Sequence, residues 1–226
     1  MDAVSAPRAA LSWSSGKDCT LALMEVRRQG LAEVVTLLTT TNSQFDHVAM
    51  HGTRDRILRA QARAVGLPLL NVPLPWPCSN EAYEARMAGA VERLKAQGIT
   101  HVIFGDLFLE DVRAWREARM AECGMQALFP LWGRDTGALS RQMVDDGIRA
   151  HLVTLDPARL PADLAGAAYD HAFLDALPEG VDPCGENGEF HTAVLDAPCF
   201  AAPIPARRGE TESRDGFVYA DLVPLG

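Results

Sequence analysis

The sequence lacks any apolar run approaching the roughly 18 residues that a membrane-spanning helix requires, so a membrane-embedded role is not expected. Cysteine is sparse and unpatterned: Cys19, Cys78, Cys123, Cys184 and Cys199 make five, with no Cys-x-x-Cys spacing. An odd count without that spacing argues against a disulfide framework and a structural zinc site, and it points to the reducing cytoplasm. Basic charge is also short. Lys and Arg total 21 against 30 Asp and Glu, a net charge of −9. Nonspecific nucleic-acid binding needs a broad basic face, which this balance speaks against. Met1 to Arg8 has no secretory-signal core and reads as a loose terminus. Internal repeats and low-complexity tracts are missing too.

The 226 residues are 48% apolar, enough to bury a core in one α/β domain, or in a domain with a smaller appendage. The most informative stretch is Leu11-Ser12-Trp13-Ser14-Ser15-Gly16-Lys17-Asp18-Cys19-Thr20. A short apolar run ends in small and charged residues, and a helical pattern starts at once. Such a junction holds phosphate well, because free N–H groups and the positive helix end face the ligand. Gly16 allows close backbone approach, and Lys17 adds a mobile charge. A Walker loop is excluded, since Leu11 and Asp18 stand where Gly and Ser or Thr are required. The closer match is the Ser-Gly-Gly-x-Asp-Ser loop of the ATP pyrophosphatases, the PP-loop. Ser15 and Cys19 depart from that pattern. The plainer alternative is a polar turn with Ser14 or Ser15 capping a helix.

Apolar runs then alternate with amphipathic ones. Strands are predicted at Ala9–Trp13, Glu33–Thr39, Pro68–Val72 and Thr100–Phe104, and helices at Asp18–Gln29, Met50–Val65 and Glu81–Ala96. This alternation implies parallel strands, right-handed crossovers and an open doubly wound sheet, with ligand beyond the strands' carboxyl ends. Four loops lie there: Ser14–Asp18, Thr40–His51, Pro73–Asn80 and Gly105–Asp111. Thr40 and His51 in the second either read an adenine edge or only close a loop. Gly105-Asp106 either orients a nucleophile or Mg²⁺-bound phosphate, or caps the next helix. That helix, Glu110–Cys123, carries Arg113 and Glu117 four apart, as a solvated ion pair or as an anion contact. Phe129, Leu131 and Trp132 read first as core. A helix at Thr136–Gly147 and a strand at Ala150–Leu155 follow.

Prolines become frequent after Asp156. Ala162–Leu177 reads as one or two helices broken near Gly166, Ala193–Leu195 as a strand, Arg207–Asp215 as a mobile hairpin tip and Gly216–Leu222 as an edge strand. Between them stands Cys184-Gly185-Glu186-Asn187-Gly188-Glu189-Phe190-His191-Thr192, which packs carboxylates, an amide, an imidazole and a thiol between glycines. Glu186 and Glu189 either serve chemistry or stabilise the Gly185–Gly188 turn.

These stretches together resemble the diphthine–ammonia ligase (diphthamide synthase domain) family of PP-loop ATP pyrophosphatases. The match rests on Ser14-Ser15-Gly16-Lys17-Asp18, Gly105-Asp106 with Arg113 and Glu117, Leu131-Trp132-Gly133-Arg134-Asp135, and most specifically Gly185-Glu186-Asn187-Gly188-Glu189-Phe190-His191-Thr192. The resemblance implies an α/β, Rossmann-like open parallel sheet of the adenine nucleotide α-hydrolase type over residues 1–134, and a smaller α+β substrate domain over 135–226. It implies ATP as co-substrate with Mg²⁺, attack of a carboxylate on the α phosphorus, release of pyrophosphate, and displacement of AMP by ammonia to leave an amide. Ser14, Ser15, Gly16, Lys17, Asp18, Thr40, His51, Gly105 and Asp106 then belong to the nucleotide site. Lys17, Asp18, Glu186 and Glu189 serve the chemistry, while Arg113, Glu117, Trp132, Gly188, His191 and Thr192 meet the second substrate. No metal ligands are assigned beyond Asp18 or Asp106. Free ammonium is the expected nitrogen source, since no N-terminal Cys nucleophile or room for a glutaminase domain is seen. The resemblance admits a protein-borne carboxylate: in eukaryotic and archaeal relatives it is diphthine on an elongation factor. The wording here looks bacterial, where another carboxylate is expected. Two other classes stay open, a non-catalytic adenine-nucleotide-binding module and an RNA-modifying PP-loop enzyme with Cys184 as sulfur carrier. A homo-oligomer is left open as well.

Overall fold

The computed structural model describes residues 6–44, 47–48 and 52–225, with backbone only for 47 and 48. The chain runs β1 (Arg8–Ser12), α1 (Lys17–Gln29), β2 (Glu33–Asn42), β3 (His47–Val48), α2 (Asp55–Val65), β4 (Leu69–Leu74), α3 (Asn80–Ala96), β5 (His101–Ile103), α4 (Glu110–Glu122) and β6 (Gln126–Leu128). It continues through α5 (Thr136–Asp145), β7 (Arg149–Leu155), a 3-10 turn at Ala162–Leu164, β8 (Ala168–Tyr169), α6 (His171–Asp175), β9 (Phe190–Asp196), β10 (Ala206–Arg214) and β11 (Phe217–Pro224).

Two sheets result. In the first, β4, β2, β1, β5 and β6 lie side by side and all are parallel. The short β3 adds antiparallel to the end of β2, at Thr41 and Asn42. β1 is central because its middle is apolar: Ala9, Ala10 and Leu11 are fully buried. The chain leaves β1 towards β2 on one side, and later returns to β5 on the other. That reversal opens a crevice at the carboxyl ends of β1 and β5, where open parallel sheets bind ligands. The α/β reading of the sequence is thus borne out.

The second sheet is antiparallel, in the order β10-β11-β7-β8, with β9 along the other side of β7. One apolar core joins Leu11 and Trp13 of the β1 segment, Leu21 and Leu23 of α1 and Ile57 and Leu58 of α2 to Leu139, Leu152, Phe190 and Val218 of the second half. Helices α1 and α2 are therefore sandwiched between the sheets. A separate core on the other face of the first sheet joins Leu38, Val72, Val91, Leu94, Val102 and Phe104.

The structure corrects several sequence-based elements. The helix expected over Met50–Val65 starts at Asp55; residues 50 and 51 of that range lie outside the described residues. Ala162–Leu177 is helical only at a 3-10 turn, Ala162–Leu164, and at the short α6, with β8 between them. Its Ala-rich composition favours helix, but Gly166 sits at φ +83° and its N–H donates to the Leu152 carbonyl at 2.7 Å. Pairing with β7 overrides local propensity there. Arg207–Asp215 is a strand rather than a mobile tip, for β10 pairs along β11 from Ala206 to Arg214. Its residues are almost all polar, so no alternation reveals it. The turn chemistry does: Asp215 and Gly216 sit at φ +52° and +84°, the left-handed pair of a two-residue hairpin. β11 is consequently an inner strand, and β10 takes the edge.

Gly105 has a packing reason for being glycine. A Cβ there would lie 3.0 Å from the Asp18 carbonyl carbon and 3.1 Å from the Cys19 nitrogen, both backbone atoms at the start of α1. Gly105→Ala is expected to lower stability by about 1–3 kcal/mol, since neither backbone can yield cheaply. Gly89 lies inside α3 with open space around it, so Gly89→Ala is expected to be neutral or to stabilise by up to ~1 kcal/mol. Urea unfolding of the two variants checks this, and equal midpoints would remove the close-approach reading.

Candidate active site

The loop after β1 is built to keep N–H groups free. Ser15 adopts φ +75° although it is not glycine, and Gly16 is extended at the start of α1. Its N-cap residue, Gly16, has no side chain to cap the helix. The Lys17 N–H donates to Thr192 Oγ1 at 3.2 Å. Among the described residues, nothing accepts from the N–H groups of Gly16, Asp18 and Cys19. Successive N–H groups next to a left-handed residue form an anion-binding nest, and the positive end of α1 adds to it. Ser15 Oγ and Thr39 Oγ1 are buried without partners beside this loop, as an absent polar ligand would leave them. These features fit a bound phosphate chain.

Lys17 is not the mobile charge expected from the sequence. It is 2% exposed. Its Nζ meets Asp18 Oδ1 at 3.0 Å and Oδ2 at 2.9 Å, and donates to the Cys184 carbonyl. The ammonium also lies 5.5 and 5.4 Å from the ring centres of Tyr169 and Phe190. Burial, the largest influence, opposes its charge, but Asp18 with Cys184 and Glu186 together outweigh it and hold the ammonium above the ordinary lysine value.

The second motif is seated on this loop. Val194 donates from its N–H to the Ser15 carbonyl at 3.0 Å. The Glu186 carboxylate accepts from the Leu107 N–H at 2.7 Å, which places it beside the loop after β5. Burial pushes the Glu186 carboxyl up to about 7; the Leu107 N–H and Lys17 act against this, while Asp18 and Asp106 add to it. Gly185 at φ +69° is obligatory, because a Cβ would lie 2.8 Å from the Phe190 carbonyl oxygen.

Other predicted residues fall elsewhere. Glu189 is 2% exposed and accepts from the Asp182 N–H at 3.0 Å and Asn187 Nδ2 at 3.2 Å, so it braces the turn. His191 follows Phe190 along β9, and strand alternation turns it to the opposite face from Phe190 and Thr192, which contact Lys17 or its N–H. Gly188, at φ +85°, turns the loop in open space. Ser14 Oγ lies 3.6 Å from Cys19 Sγ. Thr40 alternates with Thr39 and so faces the α3 side with Leu38. His51 lies outside the described residues.

Asp106 meets Arg116 at 2.9 Å as an ion pair without hydrogen-bond alignment, and Arg116 lies over the Phe104 ring. Arg113 pairs with Glu117 at 2.8 Å, and its guanidinium lies 5.0 and 4.7 Å from the Phe129 and Trp132 rings. Trp132 is therefore partly exposed stacking surface rather than core. Its neighbour Gly133 donates to the Leu107 carbonyl at 2.8 Å, which ties this stack to the Glu186 contact. Arg134 reaches Glu25 of α1 at 3.6 Å, and Asp135 caps α5 through the Ala138 N–H at 2.7 Å.

Sequence reading missed Gln61, Leu107 and Tyr169. For Gln61 a signal existed: it is a lone polar residue on the inward face of α2, among Ile57, Leu58, Ala62 and Val65, and is itself fully buried. Leu107 acts through its backbone, which no side-chain pattern reveals. Among the described residues, no helix is long and apolar enough to cross a membrane. Nor is any group of three His, Cys, Asp or Glu side chains placed to hold a metal.

Comparison with known proteins agrees with this geometry. A family model described as the diphthamide synthase N-terminal domain matches residues 7–127, and the diphthamide synthase C-terminal domain matches residues 135–220. A diphthine–ammonia ligase of Danio rerio is 36% identical over 104 residues, which is 43% of this chain and 41% of that protein. The ligase of that name from Homo sapiens is 30% identical over 106 residues, 45% of this chain and 40% of the relative. The one from Rattus norvegicus is 28% identical over 106 residues, with the same shares. The chain thus spans about two-fifths of the length of these curated relatives. With both domain models in order along it, the chain belongs to the diphthamide synthase domain family.

Proposed function

We propose that this protein is an ATP-dependent ligase that adenylates a carboxylate, releases pyrophosphate and forms an amide with ammonia. The observation that carries this reading is the seating of the Cys184–Val194 stretch on the Ser14–Asp18 loop, through Lys17–Cys184, Lys17–Thr192 and Ser15–Val194. A nucleotide half, residues 1–134, then meets a substrate half, 135–226. The name diphthine–ammonia ligase, carried by the relatives, supports the same reaction class.

In this reading the free N–H groups of Gly16, Asp18 and Cys19 bind phosphate oxygens, with Ser14 and Ser15 beside them. Lys17 opposes the charge that grows on the departing pyrophosphate. Mg²⁺ would arrive with the phosphates and take one carboxylate, Asp18 or Asp106, which suits an ion that keeps water and phosphate oxygens as ligands. Glu186, half-protonated near neutrality and close to the loop, binds ammonium and takes its proton before attack on the acyl carbon. Glu189 and Gly188 shape the turn that presents Glu186. Arg113, stacked on Trp132 and Phe129 beside Glu117, offers a cation to an anionic substrate group. Thr40 and His191, which face away from the loop, are given no part in the reaction. Cys184 does not suit a sulfur carrier: burial pushes its thiol up to about 12, so it holds its proton. We place the reaction in the cytoplasm, with a small or protein-borne carboxylate as partner.

The test is product identification after incubation with Mg-ATP, ammonium and a panel of carboxylates. AMP and pyrophosphate are expected, dependent on one carboxylate class. ADP and phosphate, or tight ATP binding with no turnover under any combination, would overturn the ligase reading in favour of a different phosphotransfer or a binding module.

A further inference from the structure

The Ser15 carbonyl is held from two directions. Gln61, in the middle of α2, donates from Nε2 to this oxygen at 3.0 Å and to the Val194 carbonyl at 2.7 Å. Its Oε1 accepts from the Trp13 indole N–H at 2.9 Å. The side-chain orientation is chemically forced, since two carbonyls require the NH₂ end and an indole N–H requires the oxygen. The Val194 N–H donates to the same Ser15 oxygen at 3.0 Å. Gln61 is fully buried, and each of its polar atoms is used.

In a trans peptide the carbonyl and the following N–H point in opposite directions. Drawing the Ser15 carbonyl into the core, between α2 and β9, therefore turns the Gly16 N–H outward. The same pull keeps Ser15 at φ +75°, a left-handed conformation that a non-glycine residue rarely holds without such support. Without donors on that oxygen the peptide is free to flip, and the nest loses its first N–H.

We infer that Gln61 is a positioning residue for nucleotide binding: it orients the Ser15–Gly16 peptide so that the Gly16 N–H faces the phosphates, and it locks that peptide to β9. Because Val194 lies on the strand that continues from the Glu186 loop, Gln61 couples the two substrate-binding halves. This rests on the nucleotide reading above.

The experiment measures Mg-ATP binding by calorimetry on wild type, Gln61→Met and Leu58→Ala, well below all three unfolding midpoints. Gln61→Met keeps the volume and removes both Gln61 N–H donors, leaving the Val194 N–H alone on the Ser15 oxygen. Leu58→Ala disturbs the same helix through a fully buried side chain that makes none of these bonds. The expected result is at least a tenfold weaker Kd for Gln61→Met and less than a twofold change for Leu58→Ala, even if Leu58→Ala is the less stable protein. Equal affinity of Gln61→Met and wild type would overturn the inference, as would a matching loss in Leu58→Ala. Failure of wild type to bind Mg-ATP would instead overturn the nucleotide reading, and the inference with it. If Gln61→Met does not fold, Trp13→Phe serves in its place. It removes the indole N–H that steadies Gln61 together with part of a buried ring, and an affinity unchanged from wild type would overturn the inference.

Discussion

Replacing Glu186 by Gln will lower ammonium-dependent amide formation by about 10²–10⁴-fold, the range expected when a positioned proton acceptor is removed. The expectation rests on where the carboxylate is held. Its oxygen accepts from the Leu107 N–H, and burial with Asp18 and Asp106 nearby brings its carboxyl to about 7. Gln still accepts from Leu107, so the loop keeps its place while the base is lost. In wild type the rate should rise with pH through about 7 as Glu186 ionises, and this limb should vanish in the variant. Stability gives an independent reading of the same group. The folded protein keeps this proton up to about 7, whereas the unfolded chain releases it near 4.5. Between those values the folded state binds more protons, so Glu186 makes stability fall as pH rises across that window and then level off. Unfolding midpoints of wild type minus Glu186→Gln should show this decline. A pH-independent difference, or a rate within threefold of wild type, would sink the assignment.

The second large effect is at Lys17. Lys17→Met should reduce ATP-dependent turnover by roughly 10²–10³-fold while changing stability little, because a methionine stem still packs against Tyr169 and Phe190. Lys17→Ala should lose the same turnover and also about 2–5 kcal/mol of stability, from the cavity left between the two halves. The mobile Lys17 expected from the sequence would leave the fold indifferent to Lys17→Ala. The structure corrects this, since the lysine is buried across the join and holds the Cys184 carbonyl. Asp18, 29% exposed in its pair with Lys17, can rehydrate once the ammonium is gone, which limits the cost in the Met variant. Steady-state rates with denaturant titrations of both variants separate the two losses. Wild-type turnover in Lys17→Met would remove the lysine from the chemistry.

The join between halves explains why these effects are coupled. A conventional reading would treat the loop after β1 as complete in itself. Here its backbone is held by Thr192, Val194 and Gln61, all distant in sequence. The charge at its centre is neutralised by a neighbour and by a carbonyl of the second motif. Any movement of the Asp182–Glu189 turn is therefore felt at the loop.

The sequence by itself determined the alternation of strands and helices, the open parallel sheet, the loop after β1 and the motif near residue 186. Those features are written in local signals: apolar period, glycine position and a phosphate-loop pattern, each of which acts within a few residues. It also carried the Asp215-Gly216 hairpin, though only as turn chemistry around a strand too polar to announce itself. Only the tertiary structure decided that Lys17 is buried, that Glu186 and not Glu189 reaches the loop after β5, and that Gln61 holds the Ser15 carbonyl. Each of these depends on which distant backbone groups are brought within hydrogen-bond reach. Burial and pairing across 46 to 175 residues of separation leave no periodic trace in the chain.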